Sequence, residues 1–477
     1  MASLHELSEP LYHGTLKNLQ ENPQKPLESL QGNILSGHGR DRSVHIFLRF
    51  KDGKRTDVKC WIKELAEAGR ITSAQRQLDE TEQYRRYGIR DHLFMSFFLS
   101  AEGYEHLYPE QKGKLRFDDE AFLRGMKAAQ HRLNDPPKAA WEKEYQNEIH
   151  AIVLLAHDYE TSLQQAADRL RDDVKTHAEI CAVEYGKVMW NRQHYPQEYA
   201  VEHFGYVDSR SQPLFFQSDI ERERLERDGT NVWDPGAGPD LVLVQDPYGR
   251  KGYDSGSYLV FRKLEQYVRA FKEYEQQFAQ ALGLTGEDVK RAGALVMGRF
   301  EDGTPVVLEP TPGRYAPVPN NFTYDNDPDG GRCPLQAHIR KVNPRQQGIP
   351  RIVRRGITYG EREKEPQDNP SLEELPLGGV GLLFMCYQRN IAQQFEVLQY
   401  LYANDPRFPG EQEPGIDPII GQLGGNGVGQ LKWPAQWNDP REKHKPFDFH
   451  SFVTLKGGEY FFAPSIHFLK NIEKEIS

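Results

Sequence analysis

The chain has little with which to cross a membrane. No apolar run approaches the ~20 residues that a helix needs to span a bilayer, and stretches such as Ala151-Ile152-Val153-Leu154-Leu155-Ala156 are strand-sized. Cysteine is scarce: Cys60, Cys181, Cys333 and Cys386 are the only four, widely spaced and without a C-x-x-C pair. That spacing excludes a zinc knuckle and gives no disulfide framework. Each reads as a small buried apolar residue, and the scatter suits a reducing compartment. Positive charge is not in excess either. A net charge of −10 repels polyphosphate, so nucleic acid is not an expected partner. The opening residues Met1-Ala2-Ser3-Leu4-His5-Glu6 lack the basic stretch and apolar core of a secretory signal. A cytoplasmic protein with no membrane partner is expected, with export by a non-classical route left open.

Three common catalytic motifs are missing. No H-E-x-x-H, G-x-S-x-G or G-x-x-x-x-G-K-[ST] occurs, which removes the main support for zincin, α/β-hydrolase and P-loop chemistry. The glycine run Gly424-Gly425-Asn426-Gly427-Val428-Gly429 lacks the phosphate-binding Lys and does not join a strand to a helix, so it reads as a flexible loop.

What is present is a globular composition, with 38% hydrophobic and 27% charged residues over 477 positions, enough for two or three domains. Residues 1–30 carry Pro10, Pro23 and Pro26 and little apolar pattern, so they read as a surface arm. Residues 31–250 then alternate: a strand at His45–Phe50, a helix at Thr56–Ala68, strands at His92–Leu99 and Ile149–His157, a helix at Ser162–Val174 and a strand at Ile180–Tyr185. This is the split βαβ order of a ferredoxin-like unit.

A similar order recurs over residues 251–477. A strand is expected at Ser257–Phe261, a helix at Gln266–Leu282, a strand at Gly381–Tyr387 and a helix at Ile391–Tyr402. Phe452–Leu455 and Tyr460–Phe462 flank Gly457-Gly458 and read as a hairpin. The fold class is α+β, with two ferredoxin-like domains, antiparallel sheets and peripheral helices. Between Phe300 and Leu375 the chain is rich in Pro, Gly, Asp and Arg, and so long a loop is usually functional or disordered.

Three clusters could carry chemistry. In Phe204-Gly205-Tyr206-Val207-Asp208-Ser209-Arg210-Ser211-Gln212-Pro213 one carboxylate sits among turn-forming residues. Alone it reads as an Asx-turn or a helix cap. In Cys333–Arg345, His338 lies near Arg340, Lys341 and Arg345. Nearby cations favour a neutral, metal-binding imidazole, and arginine suits a carboxylate partner. A surface His in a basic loop has the same spacing. In Arg351–Gly360 the pair Arg354-Arg355 beside a glycine could hold an anion or simply be a solvated loop.

Together these segments resemble the dye-decolourising peroxidase family over nearly the whole chain. Leu30-Gln31-Gly32-Asn33-Ile34-Leu35 with Gly37-His38-Gly39-Arg40 is similar to its N-terminal signature. Gly205-x-x-Asp208 is similar to its G-x-x-D-G motif, with Ser209 in place of the last Gly. His338-Ile339-Arg340-Lys341 and Asn343-Pro344-Arg345 resemble the segment of the proximal ligand, and Arg354-Arg355-Gly356 the distal arginine segment. Gly381–Phe384 with Cys386–Gln388 resembles a strand beneath the distal face, while Asp417–Gly421 and Phe452–Ser465 resemble C-terminal signatures.

The resemblance implies a peroxidase with one haem b per chain, working through a ferryl intermediate on hydrogen peroxide and dye, phenolic or similar aromatic reductants. It assigns His338 as the iron ligand, and Asp208 and Arg354 as the catalytic residues acting on peroxide. Arg354 is preferred over its neighbour Arg355 because it stands two before Gly356. Asp417 is the candidate carboxylate behind His338, with Glu396 as the fallback and a plain turn before Pro418 as the other reading. Arg340 and Arg345 are candidates for the haem propionates. Leu382 and Phe384 share one side of their strand and would dry the pocket. A shuttle carboxylate, ordinarily titrating near ~4, implies an acidic optimum. Two other readings stay open: a haem-binding or haem-handling protein with little turnover, and a haem-free ferredoxin-like scaffold. No oligomeric state is legible.

Overall fold

The computed structural model describes residues 3–191, 198–208, 210–313, 317–410, 413–422, 431–439, 444–449 and 452–476. Ser209 and the glycine run 424–429 lie outside the described residues.

Four strands in the first half come from the apolar segments: β1 (Arg42–Phe50), β2 (Phe94–Leu99), β3 (Ala151–His157) and β4 (Ala178–Lys187). They pair antiparallel in the order β4-β1-β3-β2, the ferredoxin-like arrangement. Four more follow: β5 (Ser255–Gln266), β6 (Ile357–Tyr359), β7 (Gly381–Gln388) and β8 (Val453–Ala463). Their order is β8-β5-β7-β6, so the second half repeats the first. The two sheets then join at both ends. Tyr359 of β6 pairs with Gly186 of β4, and Phe462 of β8 pairs with Leu99 of β2. The result is a closed antiparallel barrel, four strands from each half.

Side chains from opposite strands meet inside the ring. Phe47 of β1 and Phe261 of β5 have ring centroids 4.7 Å apart, and His45 meets Phe261 edge-on at 6.0 Å. His45 is fully buried with no hydrogen-bond partner on either ring nitrogen, and burial pushes its pKa down to about 3. Helices cover the outside: α1 (Arg55–Glu67), α2 (Ala74–Tyr87), α3 (Glu160–Val174), α4 (Val268–Leu282) and the short α5 (His338–Val342). α3 lays the stripe Leu163, Ala166, Ala167, Leu170 and Val174 inward, packing on β1 and β3.

Five expectations need correction. The arm at 1–30 is not loose: it forms a helix at His13–Glu21 and buries Leu4, Leu11, Leu19, Leu27 and Leu30. No hairpin turns at Gly457-Gly458. β8 runs straight through, with a bulge between Leu455 and Gly457. A Cβ on Gly457 would lie 2.2 Å from Cγ of Tyr145, so this glycine serves a close approach. The helix expected at Ile391–Tyr402 is one turn at Phe395–Val397 continued as a π-helix, Leu398–Ala403. Helix α2 was not foreseen, because its inward face is polar. Finally, Cys60 is exposed rather than buried.

Candidate active site

Period-2 alternation on β7 places Leu382 and Phe384 on the opposite face from Leu383 and Met385, which are buried. Leu382 and Phe384, with Arg262, Leu264 and Gln266 of β5, form one wall of a cavity of about 270 Å³. Ile339, Val342, Phe395, Leu398, Ile419 and Ile420 add further apolar lining. Into this cavity the structure brings His338, Asp208, Arg354 and Arg345 together.

His338 opens α5. Its neighbour Lys341 is fully buried, and Nζ donates to the carbonyls of Asp405, Phe408 and Gly415. Burial lowers that ammonium to about 8. These bonds tie α5 to the loop leading to Asp417. His338 Nδ1 donates to Asp417 Oδ2 at 2.8 Å. Asp417 Oδ1 accepts from the N–H groups of Ile419 and Ile420 at 2.8 and 3.0 Å. The carboxylate is therefore fully buried and held by its own turn, so both sequence readings of Asp417 describe the same residue. Glu396 lies elsewhere: it accepts from Tyr460 Oη at 3.1 Å and faces Arg132, and burial raises its pKa.

Asp208 follows a tight turn closed by Gly205, at φ 98°. Its N–H donates to Ala200 O, and Val207 bridges Val201. Arg354 lies on a short strand beside β7, in register with Cys386, and its Nη1 donates to Asp208 Oδ1 at 2.9 Å. The Arg354 N–H is fixed by Gln212 Oε1 at 3.1 Å. Arg355 turns the other way. Its guanidinium donates to the carbonyls of Asn33 and Ile34, inside the N-terminal signature. That loop is in turn gripped by α2: Gln77 bonds Asn33, Ser36 and Gly37, and Glu80 pairs with Arg40 at 2.6 Å.

The arginines divide. Arg340 does not line the cavity, contrary to expectation. Its guanidinium is spent on Asp327 and on the Cys333 and Asp327 carbonyls, bracing the loop before His338. Arg345 does line it, as does Arg299, which sequence reasoning missed. Both are buried and donate to carbonyls and to Asn320 Oδ1. Neither forms an ion pair among the described residues. Burial, and for Arg299 the nearby Arg345 charge, push them down to about 9 and about 10. Nothing local to Gly298-Arg299-Phe300 marks that arginine in sequence. Glu202 was likewise missed: it is buried in the cavity wall, at the foot of the turn that carries Asp208.

Family comparison agrees with this frame. A family described as "DyP dimeric alpha+beta barrel domain" matches residues 29–188, and "Dyp-type peroxidase, C-terminal" matches residues 227–408. The chain belongs to the dye-decolourising peroxidase family. This DyP-type peroxidase is 40% identical to the multifunctional dye peroxidase DyP2 of Amycolatopsis sp., over 94% of its own length and 96% of the relative's. The crystal structure of a DyP-type peroxidase from Anabaena sp. superposes with a TM-score of 0.86 at 41% identity, covering 95% and 96% of the two chains. A dye-decolorizing peroxidase solved in complex with 2,6-dimethoxyphenol matches at a TM-score of 0.74 and 28% identity, covering 93% of this chain and 98% of that one. Members of the family are haem enzymes. No described helix of the DyP-type peroxidase is long and apolar enough to cross a membrane.

Proposed function

We propose that this chain binds one haem b in the cavity described above and reduces hydrogen peroxide there, oxidising dyes, phenolics or related aromatic compounds. One observation carries the reading: an imidazole braced by a buried carboxylate lines the same cavity as a carboxylate–guanidinium pair. The donor set fits haem. Among the described residues no three His, Cys, Asp or Glu side chains gather to hold a bare metal ion, so iron at His338 would arrive with a macrocycle supplying its other ligands. Apolar walls suit the flat faces of that ring. Arg299 and Arg345, two buried cations with no ion-pair partner among the described residues, suit its acidic groups.

When bound, haem supplies the iron at which peroxide accepts electrons and to which the aromatic reductant returns them. The chain's residues do the rest. His338 would hold the iron through the ring nitrogen that Asp417 does not engage, and Asp417 holds the Nδ1 proton, fixing the tautomer and raising the imidazole's basicity. A carboxylate oxygen of Asp208 takes the proton from one peroxide oxygen and returns it to the other. Arg354 orients Asp208 and stabilises negative charge on the departing oxygen. Leu382 and Phe384 exclude water. A carboxylate shuttle favours mildly acidic solution. The relative seen with 2,6-dimethoxyphenol supports a phenolic reductant. The deciding experiment is the absorption spectrum of the haem-reconstituted protein before and after one equivalent of peroxide. A histidine-ligated Soret band that changes on mixing is expected; no Soret band, or one indifferent to peroxide, rejects the reading.

A further inference from the structure

The wall of the cavity contains a second carboxyl group that the mechanism above does not use. Glu202 is 6% exposed and begins the turn that delivers Asp208. Its Oε2 accepts from Phe204 N–H at 2.9 Å and from the Gln266 side-chain amide on β5, and its Oε1 accepts from Tyr206 N–H at 2.9 Å. The Glu202 N–H closes the same turn by donating to Tyr206 O. One carboxyl group thus caps the turn from inside, and stacking of Phe204 on Phe271, 4.0 Å between centroids, pins its outer edge.

We propose that Glu202 is a positioning residue for Asp208 and that its ionisation sets the alkaline limit of the peroxide reaction. The proposal rests on the reading of the cavity as the peroxide site. Protonated, Glu202 leaves Asp208 as the negative charge of this turn. Ionised, it places a second negative charge in the cavity wall beside Asp208, which opposes the negative charge that builds on the departing peroxide oxygen. Burial raises the Glu202 carboxyl to about 7, with the Asp208 charge adding to the rise and the three hydrogen bonds opposing it. The other charged or titratable groups that face it are few. Arg362 attracts it and donates to His203 O. Tyr206 turns its hydroxyl away to Glu275. His203 bonds the Tyr359 carbonyl and is held neutral by burial, at about 4. Arg262 of β5 is committed to Asp135.

Two readouts test this. Infrared titration of the haem-free protein should show a buried protonated carboxyl band that disappears near neutral pH and is absent in Glu202→Gln. Stopped-flow mixing of the haem-loaded protein with peroxide should show the rate falling about tenfold between about pH 6 and about pH 8. In Glu202→Gln that fall should vanish while the Soret band persists. Gln266→Leu removes a donor that favours the anion, so its fall should move to higher pH; this variant also serves if Glu202→Gln fails to fold. A parent-like fall in Glu202→Gln, an unmoved fall in Gln266→Leu, or a carboxyl band unaffected by Glu202→Gln overturns the proposal. If haem-loaded parent does not react with peroxide at all, the functional reading fails, while the infrared titration still reports on Glu202.

Discussion

At the scale of single residues, the proposed site separates groups that would touch peroxide from groups that would aim them. Asp208→Asn keeps the turn and the haem pocket but cannot take a proton, so the peroxide rate should drop about 10²–10⁴-fold with the Soret band retained. A parent-like rate would reduce Asp208 to a turn residue. Arg354→Leu should slow the same step, whereas Arg355→Leu should instead loosen the loop at Asn33 and Ile34 that Arg355 holds. Asp417→Asn replaces an ionic acceptor behind His338. A loss of about 10–100-fold in haem affinity or turnover is expected, read by haem titration; Glu396→Gln should leave both unchanged. The motifs single out His338, Asp208 and Arg354 because local residue order marks them, and the structure brings all three to one cavity. Arg299 and Glu202 were illegible because their significance comes from burial beside other groups, which no local pattern encodes. Arg340 misled for the same reason: its neighbour in sequence lines the cavity, but its own partner is Asp327.

Among elements, those with an apolar period were legible and those held by polar contacts were not. β2, β3 and α3 follow directly from their hydrophobic spacing. Helix α2 buries Gln77 and Glu80 rather than a greasy stripe, and its inward face is explained only by the loop it grips. Gly457-Gly458 carries the composition of a turn but serves packing against Tyr145 and the backbone of β5. Gly457→Ala should therefore cost about 1–3 kcal/mol of stability, measured as a lowered denaturation midpoint, because the added methyl meets the ring root of Tyr145 rather than a movable tip. An unchanged midpoint would mean that β8 can shift at its bulge without loss.

For the whole molecule, acidity acts on stability. His45 inside the barrel and His150 at its rim are each held at about 3 by burial. An imidazole that titrates near 6.5 when unfolded takes up a proton on unfolding between those values, so stability falls as pH drops from 6.5 toward 3. The protein is thus expected to lose stability toward the acid range that the proposed carboxylate shuttle favours. His45→Leu removes two unpartnered buried nitrogens and this proton uptake. Its acid-unfolding midpoint, followed by circular dichroism, should move to lower pH, and a midpoint at or above the parent's would show that the barrel interior needs the imidazole.

The ring closes through two narrow contacts, Tyr359 with Gly186 and Phe462 with Leu99. Because every one of the eight strands has a neighbour on both sides, the barrel leaves no strand without a partner strand along either edge. Should either narrow contact open, two edge strands would face the gap, β4 and β6 at one seam or β2 and β8 at the other. Exposed strand edges of that kind are what a closed ring withholds from neighbouring molecules.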